Sequence, residues 1–323
     1  MRPGMPLVVA RTAHDDGPVP ESTPTFHAEP DPVAFAAAVG PIFGADPVRH
    51  TLLLSILAQV VDGRHPAARH GVVRRGERVV AALLQTPPWN VVVSLADAAG
   101  HDNDHDHAAA AAAAEIVVAA ADGVLVEVRA GRWPHPPGVT GLDPHVERFA
   151  RRWCEQTGQQ TERHVAERLF RLDDLIPPRP MVGGRSEPAT ADDVAWLVES
   201  FVAFAHEADL SVVPPGLADQ LAAEVAGGQH RIAWVGGVRA GFVARRPTAH
   251  GSARVGPVYT DPAFRGRGLA SVLVAETSVA IQAEGAVPVL FTDQANPTSN
   301  AIYQALGYRP VADGAMWRFT PPA

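Results

Sequence analysis

Val255-Gly-Pro-Val-Tyr-Thr-Asp-Pro-Ala-Phe-Arg-Gly-Arg-Gly-Leu-Ala270 decides how this chain is read. Its opening, Val255 to Thr260, has the β-branched and aromatic content of a strand and carries a Gly-Pro. Asp261 to Phe264 is a turn. Arg265-Gly266-Arg267-Gly268-Leu269-Ala270 then runs straight into Ser271–Glu284, an apolar-faced helix stopped by Gly285. A strand, a glycine-rich turn and a helix N-terminus make an anion cradle. The first-turn N–H groups have no helical acceptor, and the helix dipole favours negative charge. Gly266 and Gly268 let the backbone come close, and Arg265 and Arg267 add charge and paired donors. The spacing is not that of a dinucleotide fingerprint, and the chain has no lysine for a nucleoside-triphosphate loop. A plain strand–helix connection with surface arginines has the same composition, so the flanking segments must decide.

Downstream, Pro288 to Thr292 reads as a strand. Asn296 followed by Pro297 marks a helix start, and Gly307 its end. Asn296, Asn300 and Tyr303 are spaced four and three apart, so they share one helix face. A tyrosine half-buried in core with its hydroxyl at the rim would read the same way.

In this order the residues resemble the GNAT N-acetyltransferase superfamily. Arg265-x-x-Gly268-x-Ala270 is similar to its acyl-CoA pyrophosphate motif, with Ala270 where glycine is commoner. Asn296 to Tyr303-x-x-x-Gly307-Tyr308 is similar to its last helix. The resemblance covers about residues 187–320. It implies acetyl-CoA as co-substrate, held between a fourth and a fifth strand that splay apart. It implies that the backbone of Arg265, Gly266, Arg267, Gly268, Leu269 and Ala270 holds the pyrophosphate. The backbone of Val258 and Thr260 would pair with the pantetheine arm, with the Val258 N–H polarising the thioester carbonyl. Tyr259 would line the acceptor pocket or belong to the core. Asn296 and Asn300 would face the pantetheine, and Tyr303 would protonate the leaving thiolate. Glu207 and Asp293 are the candidate bases on the acceptor side; His206 and His230 are further candidates. The implied function is direct transfer of an acetyl group to a primary amine of a small molecule or amino-acid derivative. The alternative is a non-catalytic CoA-binding sensor or scaffold, which would not need the acid Tyr303.

Working outward, the second half opens with a helix capped at Thr190 or Asp192 and running to about Ala208. A helix over Leu217–Ala226 follows, then a hairpin over Arg231–Ala244 turning at Gly236-Gly237. The first half repeats the pattern. It has a helix over Thr51–Val61 and a hairpin over Gly71–Leu84 turning at Gly76. Asn90–Leu95 and Val124–Val128 read as strands. A helix opens at Asp143-Pro144 and runs to about Thr157, and Thr161–Leu172 is a strand. His70 with His230, Val72 with Ile232, Gly76 with Gly236 and Leu83 with Val243 all stand at one constant offset, close to half the chain. That offset suggests a tandem duplication. The expected fold class is α+β (mixed α/β): two tandem GNAT-like domains, each a twisted, mostly antiparallel sheet flanked by helices. Residues 1–30 read as a flexible tail, 31–175 as a degenerate copy, 176–187 as a linker and 188–323 as the catalytic domain. The first copy reads as degenerate because Gly138 to Pro144, before its helix, lacks the Arg-x-x-Gly-x-Ala motif. The copy also carries a His/Asp/Ala-rich insertion at 100–115. There His101, His105 and His107 are either metal ligands or part of a solvated loop.

Composition bounds the rest. A chain of 323 residues suggests two domains at about 150 each. The net charge is 27 − 35 = −8, which argues against nucleic acid and anionic membrane as partners. All 27 basic residues are arginine, which excludes a lysine Schiff base. A single cysteine, Cys154, excludes an intrachain disulfide and reads as a small buried hydrophobe. On this reading no apolar run reaches the roughly 18–20 residues of a spanning helix, and the N-terminus is a poor signal peptide. The expectation is a cytoplasmic protein with a small-molecule amine as partner, either a monomer with pseudo-dimeric halves or a homodimer.

Overall fold

The computed structural model describes residues 22–96, 107–209 and 216–322. The first half contains β1 (Thr25–Ala28), α1 (Pro32–Phe43), α2 (Thr51–Val61), β2 (Arg69–Arg75), β3 (Arg78–Gln85) and β4 (Val91–Leu95). It continues with α3 (His107–Arg129), β5 (Gly138–Leu142), α4 (His145–Thr157) and β6 (Gln160–Leu172). The second half contains β7 (Gly184–Pro188), α5 (Val194–Glu207), α6 (Leu217–Ala226), β8 (His230–Val235), β9 (Val238–Arg245) and β10 (Ser252–Thr260). It ends with α7 (Leu269–Ala283), β11 (Val287–Asp293), α8 (Pro297–Ala305) and β12 (Tyr308–Thr320). Element for element, the second half repeats the first.

All twelve strands form one sheet in the order β1-β2-β3-β4-β5-β12-β6-β11-β10-β9-β8-β7. Only β4–β5 and β10–β11 are parallel; the other neighbours are antiparallel. The two halves trade their last strands. β6 lies between β11 and β12, and β12 lies between β5 and β6. The two exchanged strands pair with each other from Tyr308↔Leu172 to Thr320↔Gln160. A division along the chain therefore does not divide the sheet.

The duplication extends to backbone detail. The register of β2–β3 slips between Val73 and Arg74, and that of β8–β9 between Ala233 and Trp234, at the same offset that relates the two hairpins in sequence. Gly76 and Gly236 turn the hairpins at φ 59° and 58°, a conformation that costs glycine nothing. Each half buries one core on each face of the sheet. α3 and α4 cover one cluster and α1 and α2 the other; α7 and α8 match the first pair, α5 and α6 the second.

Three expectations are corrected. Thr25–Ala28, expected in the tail, pairs with β2 as a strand. Val124–Val128, expected as a strand, is the end of α3. There Ile116, Val117, Ala120, Ala121, Val124 and Leu125 recur with helical period and pack on the sheet. The preceding alanines have the highest helix propensity, and they carry the β-branched residues with them. α3 is also long and apolar enough to span a membrane by length and composition, contrary to the reading of the apolar runs; here one face of it is core.

Candidate functional site

β10 and β11 run together only where Ser252–Arg254 faces Val287–Val289. Beyond that they part. Gly256, at φ 133°, sits in a bulge where the register of β10 against β9 slips between Val255 and Val258. After Thr260 the chain turns at Asp261, whose carboxylate accepts the Ala263 N–H at 2.8 Å. Gly266 and Gly268 follow at φ 77° and 78°, and Gly268 is the N-cap of α7. A Cβ on Gly266 would meet no atom within 4 Å, so the backbone conformation and not crowding selects glycine there. Among the described residues, no acceptor engages the N–H groups from Gly266 to Ser271. A row of unanswered donors at a helix N-terminus fits a pyrophosphate.

The arginines take different parts. Arg265 donates to the Thr260 carbonyl at 3.0 Å and to both carboxylate oxygens of Glu207 at 2.9 and 2.6 Å. It ties the end of α5 to the cradle, so Glu207 is engaged at the cradle and is not among the cavity residues described below. The Arg267 guanidinium stacks 5.5 Å from the centre of the Phe264 ring.

On the α8 side, Asn296 caps the helix by accepting the Ser299 N–H at 3.0 Å. Asn300 donates to the Asp293 and Asn296 carbonyls at 2.9 and 2.7 Å, and the Asp293 carboxylate accepts the Ala295 N–H at 2.8 Å. These three side chains hold the β11–α8 turn. Tyr303 is buried in the core under α7, edge-on to Tyr308, with its hydroxyl bonded to Ser299. Burial pushes the Tyr303 hydroxyl up to about 12, so it keeps its proton at neutral pH. Tyr259 belongs to the core between β10 and α5, beside Phe242. His206 lies on the last turn of α5. His230 is buried against Glu224 at 2.8 Å, and Arg246 holds the same carboxylate at 2.7 Å. Burial opposes ionisation of Glu224, but the His230 bond, Arg246 and Gln220 outweigh it and hold the carboxyl at about 2.

On the other face of the sheet lies a cavity of about 690 Å³ between the two halves. α2 and Trp89 supply one wall, Phe201 and Phe204 of α5 the opposite one. The bulge at Val255–Pro257 and Phe291 of β11 bring it to the point where β10 and β11 part. Val255 also packs in the Tyr303 core, so the split connects the two faces. Two charged residues of the cavity are not singled out by the sequence. Glu167 of β6 stands directly opposite Asp293 of β11, so the two carboxylates share a face. Burial raises the Glu167 carboxyl to about 7; Asp293 adds to the rise and Arg254 opposes it. Burial, and repulsion from Arg246, lower Arg254 of β10 to about 9. β6 carries ionisable side chains at Glu162, Arg163, His164, Glu167, Arg168 and Arg171, so its sequence alone marks none of them.

The corresponding sequence of the first half differs from the cradle. By element order the counterpart of α7 is α3, not α4, and α4 corresponds to α8. By chain order the counterpart of the cradle is therefore the stretch of sequence ahead of α3, and not Gly138–Pro144 as expected. The residues ahead of α3 read His101-Asp-Asn-Asp-His-Asp-His107, without glycine or arginine. His101 and His105 lie outside the described residues; among the described residues no group of three metal-ligating side chains forms. All three tyrosines of the chain, Tyr259, Tyr303 and Tyr308, lie in the second half. Cys154 is half-buried, and burial raises its thiol further from ionisation.

Residues 242–317 match the model of the FR47-like protein family. Among curated proteins, none matches this sequence. Solved structures match over nearly the whole chain. A GNAT-family acetyltransferase from Colwellia psychrerythraea is 11% identical with a TM-score of 0.54, over 91% of this chain and 98% of its own. A GCN5-related N-acetyltransferase from Sphaerobacter thermophilus is 14% identical with a TM-score of 0.56, over 92% and 96%. A tandem GNAT protein from the clavulanic acid biosynthesis pathway is 15% identical with a TM-score of 0.55, over 93% and 99%. At these identities the structures speak for the fold, and the family match speaks for the second half. Cradle, split sheet and structural matches agree: the chain has the fold of the GNAT acetyltransferases it resembles, and residues 242–317 match the FR47-like family.

Proposed function

We propose that the protein transfers an acetyl group directly from acetyl-CoA to a primary amine of a small molecule or amino-acid derivative, using one cofactor site in its second half. The observation that carries this reading is the row of unengaged N–H groups at the head of α7, set beside the split of β10 and β11. Gly266 to Ala270 would hold the pyrophosphate, and the parted edge of β10 at Val258 and Thr260 would receive the pantetheine. Bound there, the thioester supplies an activated acetyl carbon. The acceptor would enter from the cavity on the opposite face, where the bulge of β10 is exposed.

Glu167 takes the acceptor-side role in this reading, ahead of Glu207 and Asp293, whose carboxylates are engaged by Arg265 and by the Ala295 N–H. An amine arriving as ammonium gives one proton to Glu167. Its nitrogen then forms the C–N bond, the C–S bond breaks, and the nitrogen releases its second proton. Tyr303 gives its hydroxyl proton to the sulfur and recovers one through solvent.

Calorimetric titration with acetyl-CoA, followed by release of free thiol in the presence of amines, tests the reading. One site per chain and amine-dependent thiol release are expected. Tyr303→Phe should cut kcat by about 100-fold and leave acetyl-CoA affinity unchanged. Binding without turnover for any amine would favour the sensor or scaffold; absence of binding would overturn both.

A further inference from the structure

The cavity between the halves holds one charge of each sign, Glu167 and Arg254, that act on each other only across a distance and touch no partner among the described residues. Its other charged groups are engaged. Arg246 is bound to Glu224, and Arg318 is bonded to Glu162 and to His164. Asp209 lies 3.7 Å from the His164 ring. Glu167 and Arg254 have neither an ion pair nor a side-chain hydrogen bond among the described residues, although both line the cavity. A sheltered charge with no partner in contact is costly, and a ligand bearing the opposite charge that makes that contact offsets the cost.

No hydrogen bond or ion pair joins the two, and their spacing suits a ligand. Arg254 pairs with Val289 and Glu167 with Asp293, so they flank β11 on either side and stand four residues apart along it. At about 3.3 Å per residue and about 4.8 Å per strand, their backbone positions lie on the order of 16 Å apart. From these positions two long side chains can reach toward one ligand between them. Around that space stand aromatic rings from both halves: Trp89, Phe201, Phe204, Phe291 and Trp317. The volume of about 690 Å³ falls in the range of sites that enclose a whole small molecule.

We infer that the acceptor is a zwitterion with an aromatic body, an amino acid or a short peptide with both termini free, whose ammonium docks on Glu167 and whose carboxylate docks on Arg254. The inference rests on the cavity being the acceptor site of the proposed acetyl transfer. It deepens that reading by naming the second charge the acceptor must carry. Glu167 lies toward the end of β11 where β10 has parted from it, so an ammonium held there faces the split, and the carboxylate points back to where the strands still pair.

The test is calorimetric titration of the intact chain, without acetyl-CoA, using phenylalanylalanine, its C-terminal amide and its N-acetyl derivative. Free phenylalanine, phenylalaninamide and N-acetylphenylalanine form a shorter series with the same three charge patterns. In at least one series the parent should bind wild type 10-fold or more tightly than either single-charge analogue. Arg254→Met should weaken the parent 10-fold or more and bring it level with the amide. Glu167→Gln should bring it level with the N-acetyl form. An amide that binds wild type as tightly as its parent overturns the inference. So does a preference for the parent that survives Arg254→Met, or the absence of binding in both series. The wild-type comparison decides even if a variant fails to fold. Thiol release from acetyl-CoA is then read separately. If the parents bind by both charges but yield no thiol, the acetyl-transfer reading fails and the zwitterion site stands. If the amides turn over as efficiently as the parents, transfer stands and the zwitterion fails.

Discussion

The sequence ahead of α7 and the sequence ahead of α3 stand at the same point in the order of elements of two halves built alike, and their chemistry is opposite. Arg265 to Ala270 brings two glycines at positive φ, two arginines and a run of unengaged N–H groups. His101 to His107 brings three aspartates and no glycine or arginine. Elsewhere the halves agree down to the hairpin glycines and the bulges, which fall at matching positions. The parts that match are those the sheet needs, because a slipped register would turn a buried face outward. The parts that differ are those an anion would need.

The largest expected effect breaks the comparison by making the second cradle resemble the first. Ser271→Glu places a carboxylate in the first turn of α7. The helix tolerates or welcomes it there, but it repels a pyrophosphate. Acetyl-CoA affinity should fall by about 100-fold or more with no loss of Tm, read by calorimetry and thermal melting. An unchanged affinity would remove the cradle from cofactor binding.

The next effect asks whether the first half contributes chemistry through its exchanged strand. Glu167→Gln should lower kcat/KM by about 100-fold while acetyl-CoA binding holds. With Glu167 raised to about 7, the working base is the ionised form, so wild-type kcat/KM should climb through about pH 7 and level off above it. The groups that share its surroundings are Asp293, Arg254, Arg246, His65, His164 and Arg318. Burial and two arginines hold His65 below its ordinary value, so it does not supply a limb at that pH. A profile that keeps its limb in Glu167→Gln would assign the base elsewhere.

Smaller effects separate the structural polar groups from the working ones. Asn296 caps α8, whereas Pro144, the N-cap of α4, makes no side-chain cap. Asn296→Ala should cost about 1 kcal/mol, seen as a Tm lower by about 2 °C. A larger loss of acetyl-CoA affinity than of stability would return Asn296 to the pantetheine. Arg265→Ala breaks a half-exposed pair with Glu207, worth less than about 1 kcal/mol, and one exposed bond to the Thr260 carbonyl, and should change acetyl-CoA affinity by less than about 3-fold. The smallest effect is expected from replacing residues 101–107 with a neutral linker, which should leave both affinity and stoichiometry as they were.

What the sequence determined by itself is what depends on neighbours in the chain. The hairpins turning at Gly76 and Gly236, the Pro297 helix start, the cradle glycines and the constant offset between the halves all rest on local geometry that one segment expresses alone. Even there, a run of alanines carried Val124–Val128 into a helix against its β-branched composition. Tertiary structure alone decided the exchange of β6 and β12, because strand partners are chosen among segments far apart in the chain and hydrogen bonds of the backbone carry no address. That exchange sets Glu167 of the first half beside Asp293 of the second, and closes a cavity around Arg254 that neither half could enclose. Alternation along a strand tells which side chains share a face, but not what will stand opposite that face once the halves have joined.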